Sequence, residues 1–122
     1  MINGNENMND TESSELDVSY ELSGYHFIWN SEKYQTNCQK HKITFEEAAT
    51  LFLDDDTEYL EDKEHSDYEE RFIAIGFSES DSILTVCHCL RDNDLVIRIF
   101  SARKATKQER KKFVTLKEGG LQ

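Results

Sequence analysis

The chain has 122 residues, a formal net charge of −11 and no proline, which limits it to one domain with a small core. It has no apolar run near the roughly 20 residues that cross a membrane and no start typical of a secretory signal, so we expect neither. Its three cysteines are an odd number, which argues against a disulfide framework and favours a reducing, cytoplasmic location.

The first residues differ in composition from the rest of the chain. Residues 1–24 are polar and acidic, a composition that does not hold a fold by itself. We therefore expect a flexible extension over 1–24, a compact domain over 25–117 and a flexible tail over 118–122. Alternating apolar residues leave a short added strand open as an alternative near the end of the extension. They are Leu16, Val18, Tyr20 and Leu22.

Two helices are predicted after a first strand at Tyr25–Trp29. Asn30 is an N-cap for a helix that runs to about Lys40, because its side chain accepts an otherwise unpaired backbone N–H. Thr44 and Glu47 have the spacing of a capping box and open a second helix. An apolar stripe at i, i+3, i+4 and i+7 makes this helix core-facing. Its residues are Phe45, Ala48, Ala49 and Phe52.

Three strands and a last helix are predicted beyond an acidic loop. The strands are Arg71–Phe77, Ser82–Leu90 and Leu95–Ser101, joined by short polar turns that indicate antiparallel hairpins. Thr106 and Glu109 form a second capping box, and the helix it opens carries Phe113 and Leu116 as its apolar side. The order β-α-α-β-β-β-α predicts an α+β fold with helices packed on a small antiparallel sheet.

Positive charge is concentrated late in the chain. All 14 Lys and Arg residues lie at or after Lys33, and nine of them, against three acidic residues, lie in 91–117. This asymmetry predicts a phosphate-facing surface for RNA or, alternatively, a face that docks an acidic partner, although most charge runs are only solvated. The residues placed to hold RNA backbone without reading sequence are Lys104, Lys107, Arg110 and Lys111.

Four blocks of sequence resemble the BrnT-type toxins between about Phe27 and Phe113. They read F-I-W-N-S-E-K, N-C-Q-K-H-K-I-T-F-E-E-A, E-E-R-F-I-A-I-G-F-S and I-R-I-F-S-A-R-K-A-T-K-Q-E-R. The resemblance implies a RelE-like fold and a toxin of a type II toxin–antitoxin system that cleaves RNA and inhibits translation. It also implies a small DNA-binding, BrnA-like antitoxin as partner in a heterotetramer, with no direct DNA binding by this chain.

The chain departs from the family pattern at three places. Asn30-Ser31 replaces Asp-Pro, which preserves the cap. Lys42 replaces a Gly, so a non-Gly residue must end the first helix at some strain. Phe100 replaces an Ile, which changes packing.

Arg71, Arg98 and Arg103 are the candidate catalytic residues. The 2′-OH of RNA is its own nucleophile, and guanidinium groups stabilise the charge that develops on phosphate. The resemblance marks the same three positions. The alternative is that Arg71 pairs with Glu69 or Glu70 and that the others pair with the acidic loop. The acidic extension, which includes Asp17, is complementary to this basic face, and we hypothesise that it folds onto it and reduces activity.

Proton carriers are harder to assign. His41 and His88 have the right chemistry, but His88 shares a strand face with apolar neighbours and fits a packed core histidine equally well. His41 ends a helix, where positive charge is also favoured. Lys33 and Trp29 suit phosphate contact and base stacking, although a lone Trp after an apolar run is more typical of a core anchor.

Cysteine and histidine alternate at Cys87-His88-Cys89, which invites a metal-binding interpretation. On a strand the two cysteines face one way and the histidine the other, so we expect no metal and no cofactor. The sequence therefore predicts a metal-independent endoribonuclease toxin. The alternative is a non-catalytic interaction module whose basic face binds an acidic partner.

Overall fold

The computed structural model describes residues 16–118; residues 1–15 and 119–122 lie outside it. Three α-helices and six β-strands, with short 3₁₀ turns at Leu51–Leu53 and Lys63–His65, make up this part of the chain. In chain order they are β1 (Asp17–Leu22), β2 (Tyr25–Asn30), α1 (Ser31–His41), α2 (Phe45–Thr50), β3 (Glu58–Glu61), β4 (Phe72–Phe77), β5 (Ile83–Arg91), β6 (Val96–Lys104) and α3 (Lys107–Lys117).

The described strands form one mixed sheet in the order β1-β2-β6-β5-β4-β3. The α+β class is confirmed, but the purely antiparallel sheet is wrong, because β2 pairs with β6 in parallel through His26↔Val96 and Ile28↔Arg98. A parallel pair requires a long crossover, and α1, α2 and the following strands supply it. The predicted element order also lacked two strands, β1 and β3.

The end of the expected extension is part of the sheet. Residues 17–22 pair antiparallel with β2 from Asp17↔Asn30 to Leu22↔Tyr25, so the added strand is confirmed and a domain boundary at Tyr25 is wrong. Ser23 and Gly24 both have positive φ, at 51° and 87°, as a tight hairpin turn with the twist of its strands requires. The rest of the predicted extension, and the tail beyond residue 118, lie outside the described residues.

The helix ends follow the local sequence closely. Asn30 caps α1 by accepting from the amides of Glu32 and Lys33. Lys42 ends α1 in the left-handed region at φ 61°, the strained conformation that the missing glycine predicts. Thr44 caps α2, but the Glu47 carboxylate accepts from the Ser78 hydroxyl, 2.8 Å away, so only half of the expected capping box forms.

Helix α1 lies beside β6 beyond the last residue of β6 that pairs with β2. The Asn37 side chain donates to the Ala102 carbonyl at 2.8 Å and accepts from the Ala102 amide at 3.1 Å. These are the two bonds that a neighbouring strand would make, so a buried side-chain amide satisfies the backbone of β6 there. The contact fixes α1 beside the second half of β6 and creates the cleft described below.

The two faces of the sheet are covered by different helices. Trp29, Phe45 and Leu84 belong to a core on the face covered by α2, and each is at most 2% exposed. On the opposite face α3 inserts Phe113 against Phe77, with ring centroids 5.6 Å apart. Leu116, expected on the apolar side of α3, is 39% exposed. None of the described helices has the length and apolar character needed to cross a membrane.

Candidate functional site

Arg98 and Arg103 lie on the sheet face opposite the core. Arg98 pairs with Cys89 and Arg103 pairs with Thr85, two positions of β5 whose even spacing puts them on one face. Between Cys87 and His88 the register shifts by one residue, so Phe100 has no partner on β5. This extra residue in β6 places Arg98 and Arg103 on the same face although they are five residues apart. Arg103 was predicted just past the end of the strand, but β6 extends to Lys104 and includes it.

Arg71 and Arg91 complete this surface and share the carboxylate of Glu69. Arg91 donates to both of its oxygens, at 2.9 and 3.1 Å, whereas Arg71 lies 3.6 Å from the carboxylate. The Arg71 guanidinium instead stacks on Phe100, 3.8 Å above the ring centroid. We call Arg71, Arg91, Arg98 and Arg103 the arginine face.

Arg98 is buried and paired with a carboxylate from the first strand. Its side chain is 4% exposed, and its two terminal nitrogens lie 3.1 and 3.4 Å from the carboxylate oxygens of Asp17 in β1. The hypothesis that the acidic extension reaches the basic face is therefore confirmed for Asp17. A substrate phosphate at Arg98 would compete with the Asp17 carboxylate, so the catalytic assignment of Arg98 remains a prediction with a structural obstacle.

Arg103 is held by the last helix. It donates to both oxygens of Glu109, at 2.7 and 2.9 Å. Glu109 also accepts from the Thr85 hydroxyl and from the Thr106 amide, which completes the predicted capping box. The hydrogen bond from Arg103 is the main cause that lowers the pKa of Glu109 to about 2, and the same bond raises the pKa of Arg103.

A cleft of about 400 Å³ lies between α1 and β6, next to the arginine face. Lys33, Lys40 and His41 line it from α1, and Phe100 and Ser101 line it from β6. The Lys33 ammonium lies 5.7 Å from the Phe100 ring centroid. Glu32 is also part of the lining. The positive side chains and the half-buried aromatic ring make this cleft suitable for an anion attached to a planar group.

His41 is the histidine that the structure places at this cleft. Burial lowers its pKa, and the positive charges of Lys40 and Arg103 lower it further. His41 is therefore the candidate proton acceptor of this cleft.

Two other predicted site residues lie in the core. Trp29 is 2% exposed, stacks on Tyr34 and meets Phe45 edge-on, so its assignment to RNA stacking is wrong and the core-anchor alternative is correct. His88 is 2% exposed and meets Phe52 edge-on at 4.9 Å, on the face away from the arginines. Burial lowers the pKa of His88 to about 4. The structure thus supports the packed-histidine alternative for His88.

The basic residues near the C-terminus are separate from the cleft. Glu109 and Phe113 face the sheet, so helical geometry turns the exposed Lys107 and Lys111 away from it. Arg110 donates to the Ala105 carbonyl at 2.9 Å. Lys104 is exposed at the end of β6. Their assignment to RNA binding stays a prediction.

Possible metal ligands are scattered or already paired. Cys87 and Cys89 share the arginine face while His88 lies in the core, as the alternation predicted. Among the described residues Asp62, Glu64 and His65 place ligand atoms within 4.8 Å of one another. The 2.9 Å contact between His65 Nδ1 and Asp62 accounts for that grouping.

Several residues of this region were not predicted. Arg91 follows Cys89 at the spacing of one strand face, so strand alternation was a signal that could have found it. The position of Phe100 outside the core depends on the register shift in β6, and the Asp17–Arg98 contact joins residues 81 positions apart. Neither of these features leaves a local sequence signal.

Comparisons with known proteins identify a family and a similar fold. Residues 29–109 match a family described as the ribonuclease toxin, BrnT, of type II toxin-antitoxin systems. The crystal structure of the Brucella abortus ribonuclease toxin, BrnT, is similar in fold, with a TM-score of 0.51 and 22% sequence identity. The similarity covers 65% of this chain and 94% of that one. A search of curated proteins gave no match.

Proposed function

Because the chain belongs to the BrnT family of ribonuclease toxins, we propose that it cleaves RNA endonucleolytically, without a metal ion, and thereby inhibits translation. The observation that carries the proposal is the cleft that Lys33, Lys40 and His41 line together, beside the arginine face. These side chains supply positive charge and a proton acceptor within one site. Both are needed for RNA cleavage by the 2′-OH.

The proposed reaction begins with attack of the 2′-oxygen on the adjacent phosphorus. His41 takes the proton of the 2′-OH, the bond from phosphorus to the 5′-oxygen breaks, and the 5′-oxygen takes up a proton. The products are a 2′,3′-cyclic phosphate and a 5′-OH end. Positive side chains stabilise the phosphate oxygens while the new bond forms.

Arg71 is the arginine best placed for this charge stabilisation. Arg91 donates to both oxygens of Glu69 through one terminal nitrogen, and Arg103 donates to both oxygens of Glu109 through two. Arg98 is buried against Asp17. Arg71 has only a 3.6 Å contact with Glu69, and its side chain is 27% exposed. A phosphate therefore displaces little when it binds Arg71.

Membership of a type II family implies a cognate antitoxin as partner. We propose a small DNA-binding, BrnA-like protein that forms a heterotetramer with this chain and makes the DNA contacts itself. We place the reaction in the cytoplasm, where its RNA substrate is found.

A second candidate function is non-catalytic docking of an acidic partner. The pairing of Arg91, Arg98 and Arg103 with Glu69, Asp17 and Glu109 favours it, because it shows that this face binds carboxylates. In that case the arginines bind a partner protein and do not contact RNA. Expression in a bacterial host separates the two candidates, since only the ribonuclease arrests growth.

The proposal is tested by incubating the purified protein with RNA in the presence of EDTA. We expect cyclic-phosphate or 3′-phosphate ends, and Arg71→Ala should slow cleavage by about 100-fold or more. The control Lys112→Ala removes an exposed positive charge on α3, outside the cleft, and should cleave at the wild-type rate. Absence of cleavage by the wild type, with no arrest of host growth, would leave the docking module as the remaining candidate.

A further inference from the structure

Phe100 is the residue common to the cleft and the arginine face. The Arg71 guanidinium lies 3.8 Å from its ring centroid, and the ring also borders the cleft that Lys33 and Lys40 line. The register shift in β6 occurs at Phe100, which turns this half-buried ring away from the core and towards the arginines. Phenylalanine side chains are usually buried in the core. The position of the Phe100 ring at a charged cleft therefore indicates a binding role.

We propose that Phe100 is a stacking platform for one unpaired nucleobase of the RNA substrate, with Lys33 and Lys40 holding the adjoining phosphate. The proposal rests on the ribonuclease function given above and specifies its substrate class as single-stranded RNA. Bases stack on aromatic rings without regard to sequence because every base has a π-face. In an RNA helix those faces are covered by neighbouring bases, so the platform requires an unpaired nucleotide.

The Arg71 guanidinium covers one face of the ring, so the base stacks on the other face. Arg71 lies over the ring and keeps a 3.6 Å contact with Glu69, a carboxylate that Arg91 already holds by two bonds. Stacking on Phe100 therefore contributes much of what fixes the Arg71 side chain. The platform would orient the base, and through Arg71 it would also orient a charge next to the phosphate.

The cleft also has a volume and polarity suited to one nucleotide. Its volume is about 400 Å³, and its lining combines the Phe100 ring with hydroxyl, amide and ammonium groups from Ser101, Asn30 and Lys33. An apolar partner helix would remove those polar groups from water without offering them hydrogen bonds. A nucleotide suits this lining because it combines a flat apolar face with polar edges and an anion.

The test uses a short fluorescent oligonucleotide of 2′-O-methyl RNA, which lacks the 2′-OH and is not cleaved. Phe100→Ala should weaken binding of this single strand by roughly ten-fold, the loss typical of one stacked base. Phe100→Tyr keeps the ring and should retain wild-type affinity. Tyr59→Ala is the matched control, since Tyr59 is a half-exposed aromatic residue on the other face of the sheet.

A second oligonucleotide series shows whether stacking is the cause. In oligonucleotides with abasic positions, wild type and Phe100→Ala should bind equally, and a duplex should show no dependence on Phe100. Equal affinity of wild type and Phe100→Ala for the intact single strand would overturn the proposal. So would a loss that is the same for intact, abasic and duplex probes, or no binding of the single strand by the wild type.

Thermal unfolding of each variant separates a local loss from a folding defect. If Phe100→Ala is unstable, the Phe100→Leu variant, which fills the site without a ring, replaces it with the same expected loss. Cleavage is measured separately on unmodified RNA. Ring-dependent binding without cleavage would refute the ribonuclease function alone, and cleavage with ring-independent binding would refute the platform alone.

Discussion

The two faces of the sheet bury ionisable groups in two different ways. His88 and Arg98 are 2% and 3% exposed and lie in adjacent strands, yet they point to opposite sides. His88 lies among the rings of Phe52 and Phe72, where burial lowers its pKa to about 4 and keeps it neutral. Arg98 keeps its charge and meets the carboxylate of Asp17. On the apolar face the buried group loses its charge, and on the charged face the buried group keeps its charge and forms an ion pair.

This difference explains where function is concentrated. On the apolar face burial keeps His88 neutral, so this side chain does not attract a phosphate. On the arginine face the counter-charges come from three separate elements, namely Asp17 in β1, Glu69 before β4 and Glu109 in α3. Their pairing with Arg98, Arg91 and Arg103 leaves Arg71, stacked on Phe100, as the arginine with the loosest carboxylate contact.

The largest expected effect comes from removing one member of the buried pair. Arg98→Met leaves the Asp17 carboxylate, which is 7% exposed, without this partner, and should lower the free energy of unfolding by about 3–5 kcal/mol. Urea denaturation measures the loss. Adding Asp17→Asn to Arg98→Met should restore part of it, because an uncharged pair has no unpaired charge to desolvate.

Amide exchange in β1 gives an independent check on that result. If the carboxylate escapes by detaching β1, residues 17–22 will exchange faster in Arg98→Met than in the wild type. A double variant that is no more stable than Arg98→Met would contradict the idea that the unpaired charge causes the loss.

The next largest expected effect is a fall in the free energy of unfolding at acid pH, caused by His88. The pKa of His88 is lowered in the folded protein to about 4 from the ordinary 6.5, so the unfolded chain binds its proton first. Stability is therefore full above pH 6.5 and falls as the pH drops towards 4. The expected loss is about 2 kcal/mol between about pH 7 and pH 5.

The histidine is identified by comparing two variants over that pH range. His88→Leu should flatten the dependence of the unfolding free energy on pH. His65→Gln changes an exposed histidine with its ring beside Asp62, outside the core, and should leave the slope due to His88 in place. An unchanged slope in His88→Leu would mean that another group titrates.

Local features of the fold could be predicted from the sequence and long-range ones could not. The caps at Asn30 and Thr106 and the left-handed residue at Lys42 depend on a few neighbouring residues, and they were predicted correctly. The parallel pairing of β2 with β6 depends on which strand edges meet after a long crossover, and no local pattern encodes it. Strand β3 was missed because its four residues, E-Y-L-E, read as part of the acidic loop.

The candidate site was predictable to the same degree. Residue types identified the arginines, and the register later placed them on one face. The partners of those arginines and the outward position of Phe100 depend on contacts between distant elements. Trp29 and His88 were open to two interpretations because composition gives a residue's chemistry but not the face on which it lies.

The smallest effect concerns the exposed end of the arginine face, where Arg103 binds Glu109. The folded-state pKa of Glu109 is lowered to about 2 from 4.5, so its contribution is present above pH 4.5 and is lost as the pH falls towards 2. Solvent reaches Arg103, whose side chain is 35% exposed, and screening reduces the contribution to about 1 kcal/mol. Glu109→Gln should therefore remove the part of the fall in unfolding free energy below pH 4.5 that is due to Glu109. The loss due to His88 between pH 6.5 and 4 should be unchanged. Urea denaturation across both pH ranges measures the two effects. If Glu109→Gln instead changed the upper range, the two faces would be coupled, and the separation between the neutral histidine and the paired arginines would not hold.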